Sequence, residues 1–550
     1  QARRNGRRQA FNRKALPPLF IMSICLTYGG KNLKKKLRGL LRIIFGRTTY
    51  VLLAILLQIA ILFIPLRLME EYVVYLYAAF VLLGAVAVIY ILNEQTDSSF
   101  KLAWVIPVLV FPVFGVALYI FVHIQIIPKL MAGRLKQTGS EIRPFLEQDE
   151  DTARQAMEES NDVKGLIHYM NHWAGYPIYR NSSVEFFPLG EDKFEALKAE
   201  LKKARHFIFM EYFIIERGIM WNAILEILEE KVKEGVEVRV LYDGTCSMML
   251  LPYHYPQELE KKGIRCKMFS PVKPVLSTHQ NNRDHRKIVV IDGHTGFTGG
   301  VNLADEYINQ KMRFGLWKDT AVMIKGEAVK SLTMMFLQMW HVAEKDYEKE
   351  YDRYLAPPET FAGLPGDKRE FVLPYGDSPM DKERVGEEVY MDILNRAKRY
   401  VHIMTPYLIL DDDMKNALCF AAKRGVEVII IMPHIPDKLY AYLLARTYYP
   451  ELIQAGVRIY EYTPGFVHAK EFICDDEKAV VGTINLDFRS LYLHFECGVY
   501  LYRNSAIVQM ERDFRETLAK CEKITLKDCR SYPFFKRLAG RTLRLIAPLM

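Results

Sequence analysis

Residues 285–292 read HRKIVVID, and residues 468–475 read HAKEFICD. Both octapeptides fit one pattern, H-x-K-x-x-x-x-D. If Lys and Asp each occupy about one position in twenty, a given His begins this pattern by chance about once in 400. The chain has 13 histidines, so a single accidental match would carry little weight. Two matches, each at the same point of a repeated segment, indicate a duplicated functional motif.

The sequence around the two octapeptides repeats as well. Residues 258–265 (ELEKKGIR) correspond to residues 451–458 (ELIQAGVR). Apolar, strand-like runs alternate with helical patterns in both halves, and the runs are 206–215, 235–241, 400–404 and 425–431. Repetition at this scale predicts an α/β fold with two similar domains about a pseudo-twofold axis.

Each motif predicts two side chains on one face of a strand. Positions i and i+2 of a strand point the same way, so the imidazole and the ammonium group converge on one ligand. An Asn stands seventeen residues after each His, at Asn302 and Asn485, and small residues precede it. Two His, two Lys and two Asn supply the donors and the positive charge that a phosphoryl group needs. This donor set requires no metal.

The positive charge of the chain is concentrated in its N-terminal tail. Of the 74 Lys and Arg residues, 13 lie within residues 1–48, which hold no acid, so the remainder carries 61 basic against 65 acidic residues. A nucleic-acid-binding domain needs its positive charge in the folded part, where phosphates dock. We therefore expect no nucleic-acid partner. The eight cysteines form no C-x-x-C pair, which argues against a zinc site made of cysteine.

Three stretches near the N-terminus lack Lys, Arg, Asp and Glu: Thr48–Leu66, Tyr72–Asn93 and Leu102–Pro128. A helix needs about 20 residues to cross a hydrocarbon core of about 30 Å, so we expect three transmembrane helices. Prolines in the third stretch could kink it or make it re-entrant. The positive-inside rule keeps the basic tail cytoplasmic. Three full spans would then put the large C-terminal part outside. Basic residues after the third stretch favour the cytoplasmic side instead, so the side of the C-terminal part stays open.

These features resemble the phospholipase D superfamily, whose signature is a duplicated H-x-K-x4-D motif, over roughly residues 185–520. Further features narrow the resemblance to bacterial cardiolipin synthases. They are the apolar N-terminal stretches, KLAW (101–104), Pro112, Gly115, Tyr119, GGVNL (299–303), TPY (405–407), GTINLDFRS (482–490) and RLIAPLM (544–550). Two features depart from the family pattern: three apolar stretches instead of two, and His494 where many members have Asn.

The resemblance implies a two-step phosphatidyl transfer. One His attacks the phosphorus of phosphatidylglycerol and forms a phosphatidyl-histidine, while the other His protonates the departing glycerol. That second His then deprotonates a hydroxyl of a second phosphatidylglycerol, which attacks the intermediate. Cardiolipin and glycerol are the products, and no cofactor is needed. By the same resemblance, His285 is the nucleophile and His468 the acid/base, and the protein is a multi-pass protein of the bacterial cell membrane.

The resemblance also implies the remaining site residues. The two catalytic motifs comprise His285, Lys287, Asp292, His468, Lys470 and Asp475. Asn302 and Asn485 would bind the substrate phosphate. A nucleophilic imidazole needs an acceptor at its far nitrogen, and the family places an acid roughly thirty positions after each His. Asp319 and Glu496 stand there. We expect the motif aspartates to brace the fold rather than to touch phosphate, and we expect no metal site.

Three alternatives stay open. Water or another alcohol can resolve the same intermediate, which would make the protein a phospholipase D hydrolase or a transphosphatidylase for another head group. A nuclease of the same superfamily conflicts with the apolar stretches and with the acidic balance of the body. A catalytically inactive membrane scaffold would predict at least one eroded motif, and both motifs are intact. The sequence does not indicate the oligomeric state.

The predicted organisation has seven segments. They are a basic tail (1–47), transmembrane helices (48–128), a connecting segment (129–184), a first phospholipase D-like domain (185–344), a linker (345–368), a second such domain (369–530) and an amphipathic C-terminal segment (531–550). The last segment mixes Phe and Leu with Lys and Arg. It could lie on anionic lipid or pack its apolar face on its own domain.

Overall fold

The computed structural model describes residues 73–123, 126–159, 161–272, 281–342, 344, 347, 349–361 and 370–549. Of these, residues 73–89 and 107–118 belong to one compact unit, and the others belong to a second. The predicted basic tail and the apolar stretch Thr48–Leu66 lie outside the described residues.

The apolar N-terminal residues form successive helices: α1 (Val73–Asn93), α2 (Ser98–Val110) and α3 (Pro112–His123). The prediction of one span over Leu102–Pro128 is therefore wrong, because this stretch is divided at Phe111. Proline is favoured at the first position of a helix, where its missing N–H group has no partner to lose, so Pro112 begins a new helix. At about 1.5 Å per residue, α2 and α3 are only about 20 Å and about 18 Å long.

Among the described residues, no helix combines the length and the apolar character that crossing a bilayer requires. The expectation of a multi-pass protein is not supported in this part of the chain. Gly115 shows how closely the N-terminal helices approach each other, because a Cβ atom there would lie 2.6 Å from the carbonyl oxygen of Pro107.

The second unit alternates helices and strands along most of its length. Its helices are α4 (Ile126–Ile142), α5 (Glu150–Glu159), α6 (Asn161–Tyr169), α7 (Gly190–Leu201), α8 (Ile219–Lys233), α9 (Cys246–Met249), α10 (Tyr255–Glu260), α11 (Val329–Val342), α12 (Val385–Arg396), α13 (Asp412–Lys423), α14 (Leu439–Ala445), α15 (Tyr449–Ala455), α16 (Ala506–Leu518), α17 (Leu526–Ser531) and α18 (Phe534–Arg544).

The strands of the first half are β1 (Ser182–Phe187), β2 (Phe207–Tyr212), β3 (Glu237–Asp243), β4 (Arg265–Phe269), β5 (Arg283–Asp284), β6 (Lys287–Ile291), β7 (Thr295–Gly299), β8 (Leu316–Lys318) and β9 (Ala321–Gly326). Those of the second half are β10 (Phe371–Asp377), β11 (Tyr400–Met404), β12 (Leu408–Ile409), β13 (Glu427–Pro433), β14 (Arg458–Tyr462), β15 (Gly465–Val467), β16 (Glu471–Cys474), β17 (Lys478–Gly482), β18 (Leu486–Asp487), β19 (His494–Tyr502) and β20 (Cys521–Ile524).

Two mixed sheets carry the same strand order. The first runs β1-β9-β7-β6-β2-β3-β4, and the second runs β10-β19-β17-β16-β11-β13-β14, with β20 added at its edge. In the first sheet β2 pairs in parallel with β3 and antiparallel with the motif strand β6, and in the second sheet β11 pairs in parallel with β13 and antiparallel with the motif strand β16. The predicted α/β fold with duplicated domains is confirmed by this repeated order.

The two sheets share a buried core. Strand side chains alternate between opposite faces, so Phe207 and Phe209 of β2 face the shared core, while Ile208 and Met210 face the helices outside it. Helix α11 contributes to the same shared core and is buried along most of its length. Burial on both faces explains why the central strands read as continuous apolar runs instead of alternating ones.

Candidate active site

His285 follows β5, where the chain pairs with the second half. Strand β5 runs parallel to the start of β19 with Asp284 opposite Phe495, and the backbone N–H of His285 donates to the carbonyl oxygen of Phe495 at 2.9 Å. This register brings the next residue of β19, Glu496, against the imidazole. Nδ1 of His285 lies 2.9 Å from each carboxylate oxygen of Glu496.

His468 is held in the mirrored way by the first half. Strand β15 runs parallel to β8 with Val467 opposite Lys318, and the backbone N–H of His468 donates to the Lys318 carbonyl oxygen at 2.7 Å. Nδ1 of His468 then lies 2.6 Å from Oδ2 of Asp319. Both predicted acids therefore contact a motif histidine, but each acid contacts the histidine of the opposite half.

Each acid also accepts a hydrogen bond from a group of its own half. The Thr483 hydroxyl donates to Glu496, and the backbone N–H of Thr320 donates to Oδ1 of Asp319 at 2.9 Å. A Cβ atom at Gly300 would lie 1.9 Å from that same Oδ1, so the glycine leaves room for the carboxylate. Sequence reasoning attributed the small residues here to the approach of an anion and did not identify Thr483.

The protonation of the two histidines follows from burial. Both imidazoles are buried, which lowers the pKa of His285 well below 6.5, despite the opposing charge of Glu496, and lowers the pKa of His468 to about 4. Burial alone would raise the pKa of Glu496, but His285 and His494 hold it below its usual range. An ionised carboxylate only accepts hydrogen bonds. Nδ1 of His285 therefore carries the proton, and Nε2 keeps a free lone pair.

The two motif lysines are also buried beside the histidines. Burial lowers the pKa of Lys287 to about 8 and that of Lys470 to about 7. Nζ of Lys287 donates to the carbonyl oxygen of His285 at 2.5 Å. Nζ of Lys470 lies 2.8 Å from Nδ1 of His468. That ring nitrogen cannot donate to Asp319 and accept from Lys470 at once, and the shorter contact with Asp319 places the proton on Nδ1.

The lysines show that the two motifs share one electrostatic environment. The charge of Lys287 in the first half helps lower the pKa of both His468 and Lys470 in the second. An anionic phosphate between them would stabilise the charged form of both lysines, because an opposite charge favours ionisation. Each half thus contributes one buried imidazole and one buried lysine to this shared environment.

The two predicted phosphate-binding asparagines differ in their contacts. Oδ1 of Asn302 accepts from the backbone N–H of Ile214 at 3.0 Å, and its Nδ2 donates to the Tyr307 hydroxyl at 2.8 Å. Asn302 thus holds Tyr307, whose ring centroid lies 5.4 Å from that of His468. The buried Oδ1 of Asn485 has no hydrogen-bond partner among the described residues.

The motif aspartates lie at the far ends of their strands from the lysines. Asp292 accepts hydrogen bonds at 2.8 Å from the backbone N–H groups of residues 205–207, at the entry to β2. Asp475 accepts from residues 398–400, at the entry to β11, at 2.7–2.9 Å. Five strand residues span roughly 16 Å, so the structure does not bring these carboxylates to the histidines. Each carboxylate instead links the end of its own strand to the start of the neighbouring one.

His494 is a residue to which the sequence analysis gave no role. It is buried, its ring centroid lies 5.4 Å from that of His285, and its Nδ1 lies 3.6 Å from Oε1 of Glu496. Neither ring nitrogen has a hydrogen-bond partner among the described residues. His285, His494 and Glu496 offer ligand atoms that all lie within 4.8 Å of one another, and among the described residues no other group of three or more His, Cys, Asp or Glu side chains does so. The departure from the family pattern at this position was the available indication.

Comparison with known families and proteins finds matches over most of the chain. A family profile described as "Cardiolipin synthase, PLD-like domain" matches residues 197–340 and 390–518, and one described as "Phospholipase_D-nuclease N-terminal" matches residues 79–122. A Streptococcus mutans protein described as uncharacterized is 49% identical over 464 residues, which are 84% of this chain and 99% of that protein.

Relatives with a functional name include two cardiolipin synthases. A cardiolipin synthase of Alkalihalophilus pseudofirmus is 36% identical over 474 residues, which cover 84% of this chain and 91% of that protein. One of Geobacillus kaustophilus is 38% identical over 376 residues, 68% of this chain and 74% of that protein. Among solved structures, a phosphatidylserine synthase of Haemophilus influenzae is similar with a TM-score of 0.52 and 14% identity, over 67% of this chain and 95% of that chain. At that identity the likeness concerns the fold alone.

Proposed function

The chain belongs to the cardiolipin synthase family of phospholipase D-like proteins and is a phosphatidyltransferase acting on phospholipids, and we propose that it converts two molecules of phosphatidylglycerol into cardiolipin and glycerol. The observation that carries the proposal is the pair of buried, neutral histidines, each held at Nδ1 by a carboxylate. Such a pair can provide a nucleophile and an acid/base for the exchange of one phosphodiester for another.

In the first step, Nε2 of His285 attacks the phosphorus of one phosphatidylglycerol. The P–O bond to the head-group glycerol breaks, and His468 donates a proton to the departing oxygen. Glu496 stabilises the positive charge that develops on the His285 ring. Lys287 and Lys470 stabilise the charge on the phosphoryl oxygens. The products of this step are phosphatidyl-His285 and free glycerol.

In the second step, the now neutral His468 accepts the proton of a terminal hydroxyl on a second phosphatidylglycerol. That hydroxyl oxygen attacks the phosphorus, the bond between phosphorus and His285 breaks, and cardiolipin leaves. For His468 to act as the acid in the first step, the bound anionic phosphate must raise its pKa from about 4, because a nearby opposite charge favours the protonated form.

The same site supports a second candidate function, hydrolysis or transfer to another head group, because the intermediate can be resolved by water or by any alcohol. A scaffold without activity is disfavoured by the complete pairs of His and acid. We place the protein at the bacterial cell membrane, where both substrates reside. Helix α18 supports this location, since Phe534 and Phe535 are 63% and 80% exposed there, beside Lys536 and Arg537.

The experiment incubates the full chain in detergent with pure phosphatidylglycerol and measures lipid products and glycerol by mass spectrometry. We expect equal amounts of cardiolipin and glycerol, and neither product with His285→Ala. Phosphatidate in place of cardiolipin would identify a hydrolase. Appearance of a new phospholipid only after another alcohol is added would identify a different transphosphatidylase. Expression in a cardiolipin-free bacterial host tests the same reaction in cells.

A further inference from the structure

A cavity of about 680 Å³ lies in the second unit, beside the second half of the chain. Apolar side chains in its lining are Ile91, Phe100, Trp104, Leu491 and Leu493. Charged side chains of both signs belong to the same lining: Glu94, Asp97, Asp381, Glu383, Lys101, Lys382 and Arg384. A cavity of a few hundred Å³ that combines apolar surface with polar groups suits an organic ligand that has both kinds of surface.

The wall from the N-terminal region is firmly packed. The Phe100 ring lies edge-on to Phe488 and Tyr492, with centroids 5.8 and 5.5 Å apart. The Tyr492 hydroxyl in turn donates to Asp411 at 2.6 Å. On the same side of the cavity, the Trp104 ring packs edge-on to Tyr119 at 5.5 Å. These contacts fix the apolar wall before any ligand arrives.

Two residues that line the cavity are close in sequence to residues of the His285 site. Leu493 lines the cavity, and the next residue is His494, whose ring lies 5.4 Å from that of His285. Asn282 also lines the cavity and precedes His285 by three residues, which can span at most about 10 Å. Two separate segments of the cavity lining therefore lie close in sequence to His285 and to its neighbour His494.

We propose that this cavity binds the diacylglycerol part of the phospholipid whose phosphatidyl group is transferred to His285. The proposal rests on the proposed function for its chemistry. The apolar side chains suit the first methylene groups of the acyl chains, and Lys101, Lys382 and Arg384 can donate to the ester oxygens. A volume of about 680 Å³ cannot hold two whole acyl chains, so their ends would extend beyond it, toward the lipid.

The N-terminal region would then take part in substrate binding. Residues 91, 94–97, 100, 101 and 104 line the cavity. A folded chain without them would keep both motifs and lose part of the lipid site.

The test fills the cavity with Leu493→Trp and compares dioleoyl phosphatidylglycerol, the long-chain lipid, with glycerophosphoglycerol, which has the same head group and no acyl chains, as substrates for the full chain. We expect kcat/KM to fall about tenfold or more for the long-chain lipid, and to stay within about twofold of wild type for the deacylated substrate. Val508→Trp is the matched control, because Val508 is 58% exposed on α16 and does not line the cavity. Equal losses for both substrates, or no loss, would overturn the proposal.

A second variant covers the case in which Leu493→Trp does not fold. A binding measurement makes the test independent of which product the enzyme forms. Trp104→Ala removes a large apolar side chain from the lining of the cavity. It should therefore raise KM for the long-chain lipid in the same selective way. Phosphatidylglycerol with a photoreactive group near the start of an acyl chain should crosslink to residues 100–104 or 491–493. Crosslinks there together with phosphatidate as product would refute cardiolipin synthesis and keep the lipid site. Crosslinks found only elsewhere, together with cardiolipin as product, would refute the lipid site alone.

Discussion

Glu496, in the second half of the chain, holds Nδ1 of His285, in the first half, at 2.9 Å. The reverse pair, His468 and Asp319, closes at 2.6 Å. The two contacts cross between the halves in opposite directions. A histidine and the acid roughly thirty residues after it in the same repeat thus belong to different pairs.

The two histidines should fail in different ways. His285→Ala should abolish the covalent intermediate. His468→Ala should still form it from a p-nitrophenyl phosphatidyl ester, because p-nitrophenolate leaves without a proton, and the missing base should then trap it. General acid catalysis is typically worth about 10²–10⁴ in rate, so this ester should recover most of that loss in the first step. The measurement is acyl-chain label on the protein, and label in His285→Ala but none in His468→Ala would mean that the roles are exchanged.

The crossed pairs predict which acid supports which step. Glu496→Gln should slow formation of phosphatidyl-His285 by about 10²–10⁴, with either glycerol or p-nitrophenolate as leaving group, because it acts on the nucleophile. Asp319→Asn should slow the reaction with the natural lipid but recover with the p-nitrophenyl ester, because it acts on the acid. Asp528→Asn, an exposed helix cap, is the control. Recovery in Glu496→Gln instead would show that each acid serves its own repeat.

The motif aspartates should matter for stability more than for chemistry. Asp475→Asn replaces one carboxylate oxygen with an NH₂ group that faces backbone N–H donors at the entry to β11. Loss of such a contact should lower the free energy of unfolding by about 1–3 kcal/mol, measured by denaturant titration, while kcat per folded molecule stays near wild type. Asp413→Asn, exposed on α13, is the control. An unchanged free energy of unfolding with a large loss of kcat would contradict the bracing role.

Substrate affinity should depend on pH through the lysines. Their pKa values, about 7 for Lys470 and about 8 for Lys287, mean that raising the pH through 7–8 removes the charges that bind phosphate, so KM for phosphatidylglycerol should rise. Lys470→Arg keeps its charge at any working pH and should shift this rise upward, whatever its absolute activity. On the acid side, kcat/KM should fall only well below pH 6.5, because burial lowers the pKa of His285. A fall already at pH 6.5, or a KM that decreases with rising pH, would refute this account.

The reaction should need no divalent metal, since histidines and lysines supply the nucleophile and the phosphate-binding charges. EDTA should leave kcat unchanged. Added Zn²⁺ should inhibit reversibly, because His285, His494 and Glu496 offer ligand atoms within 4.8 Å of one another of the kinds that zinc prefers. His494→Asn removes one ligand and should weaken the inhibition about tenfold or more. Full loss with EDTA, restored by one particular metal, would show instead that a metal takes part.

Local patterns were enough to predict the central strands. The run 400–404 coincides with β11, and 206–215 contains β2, because buried apolar residues flanked by polar turns leave a clear mark in the sequence. The third apolar stretch was not predicted correctly. A stretch without charged residues can be buried in protein or in lipid, and the lack of charge does not show that a new helix starts at Pro112.

The site residues were identified by type and spacing, but their pairing was not. Both acids lie at similar distances along the chain from their own histidines, and only the non-local pairing of β5 with β19 and of β15 with β8 decides which contact forms. His494 was missed for the same reason. Its burial beside His285 depends on that register, so the departure from the family pattern at this position was the only indication of it in the sequence.

The reciprocal exchange of carboxylates constrains how such a chain could have arisen. An ancestor with a single repeat would have needed two identical chains to complete one centre, and both of its histidines would have been equivalent by symmetry. Joining two repeats in one gene removes that equivalence. His494 now stands beside His285, whereas Trp317 stands beside His468 at 5.3 Å. Gene fusion thus allows one histidine to specialise in attack and the other in proton transfer, while neither repeat can be lost.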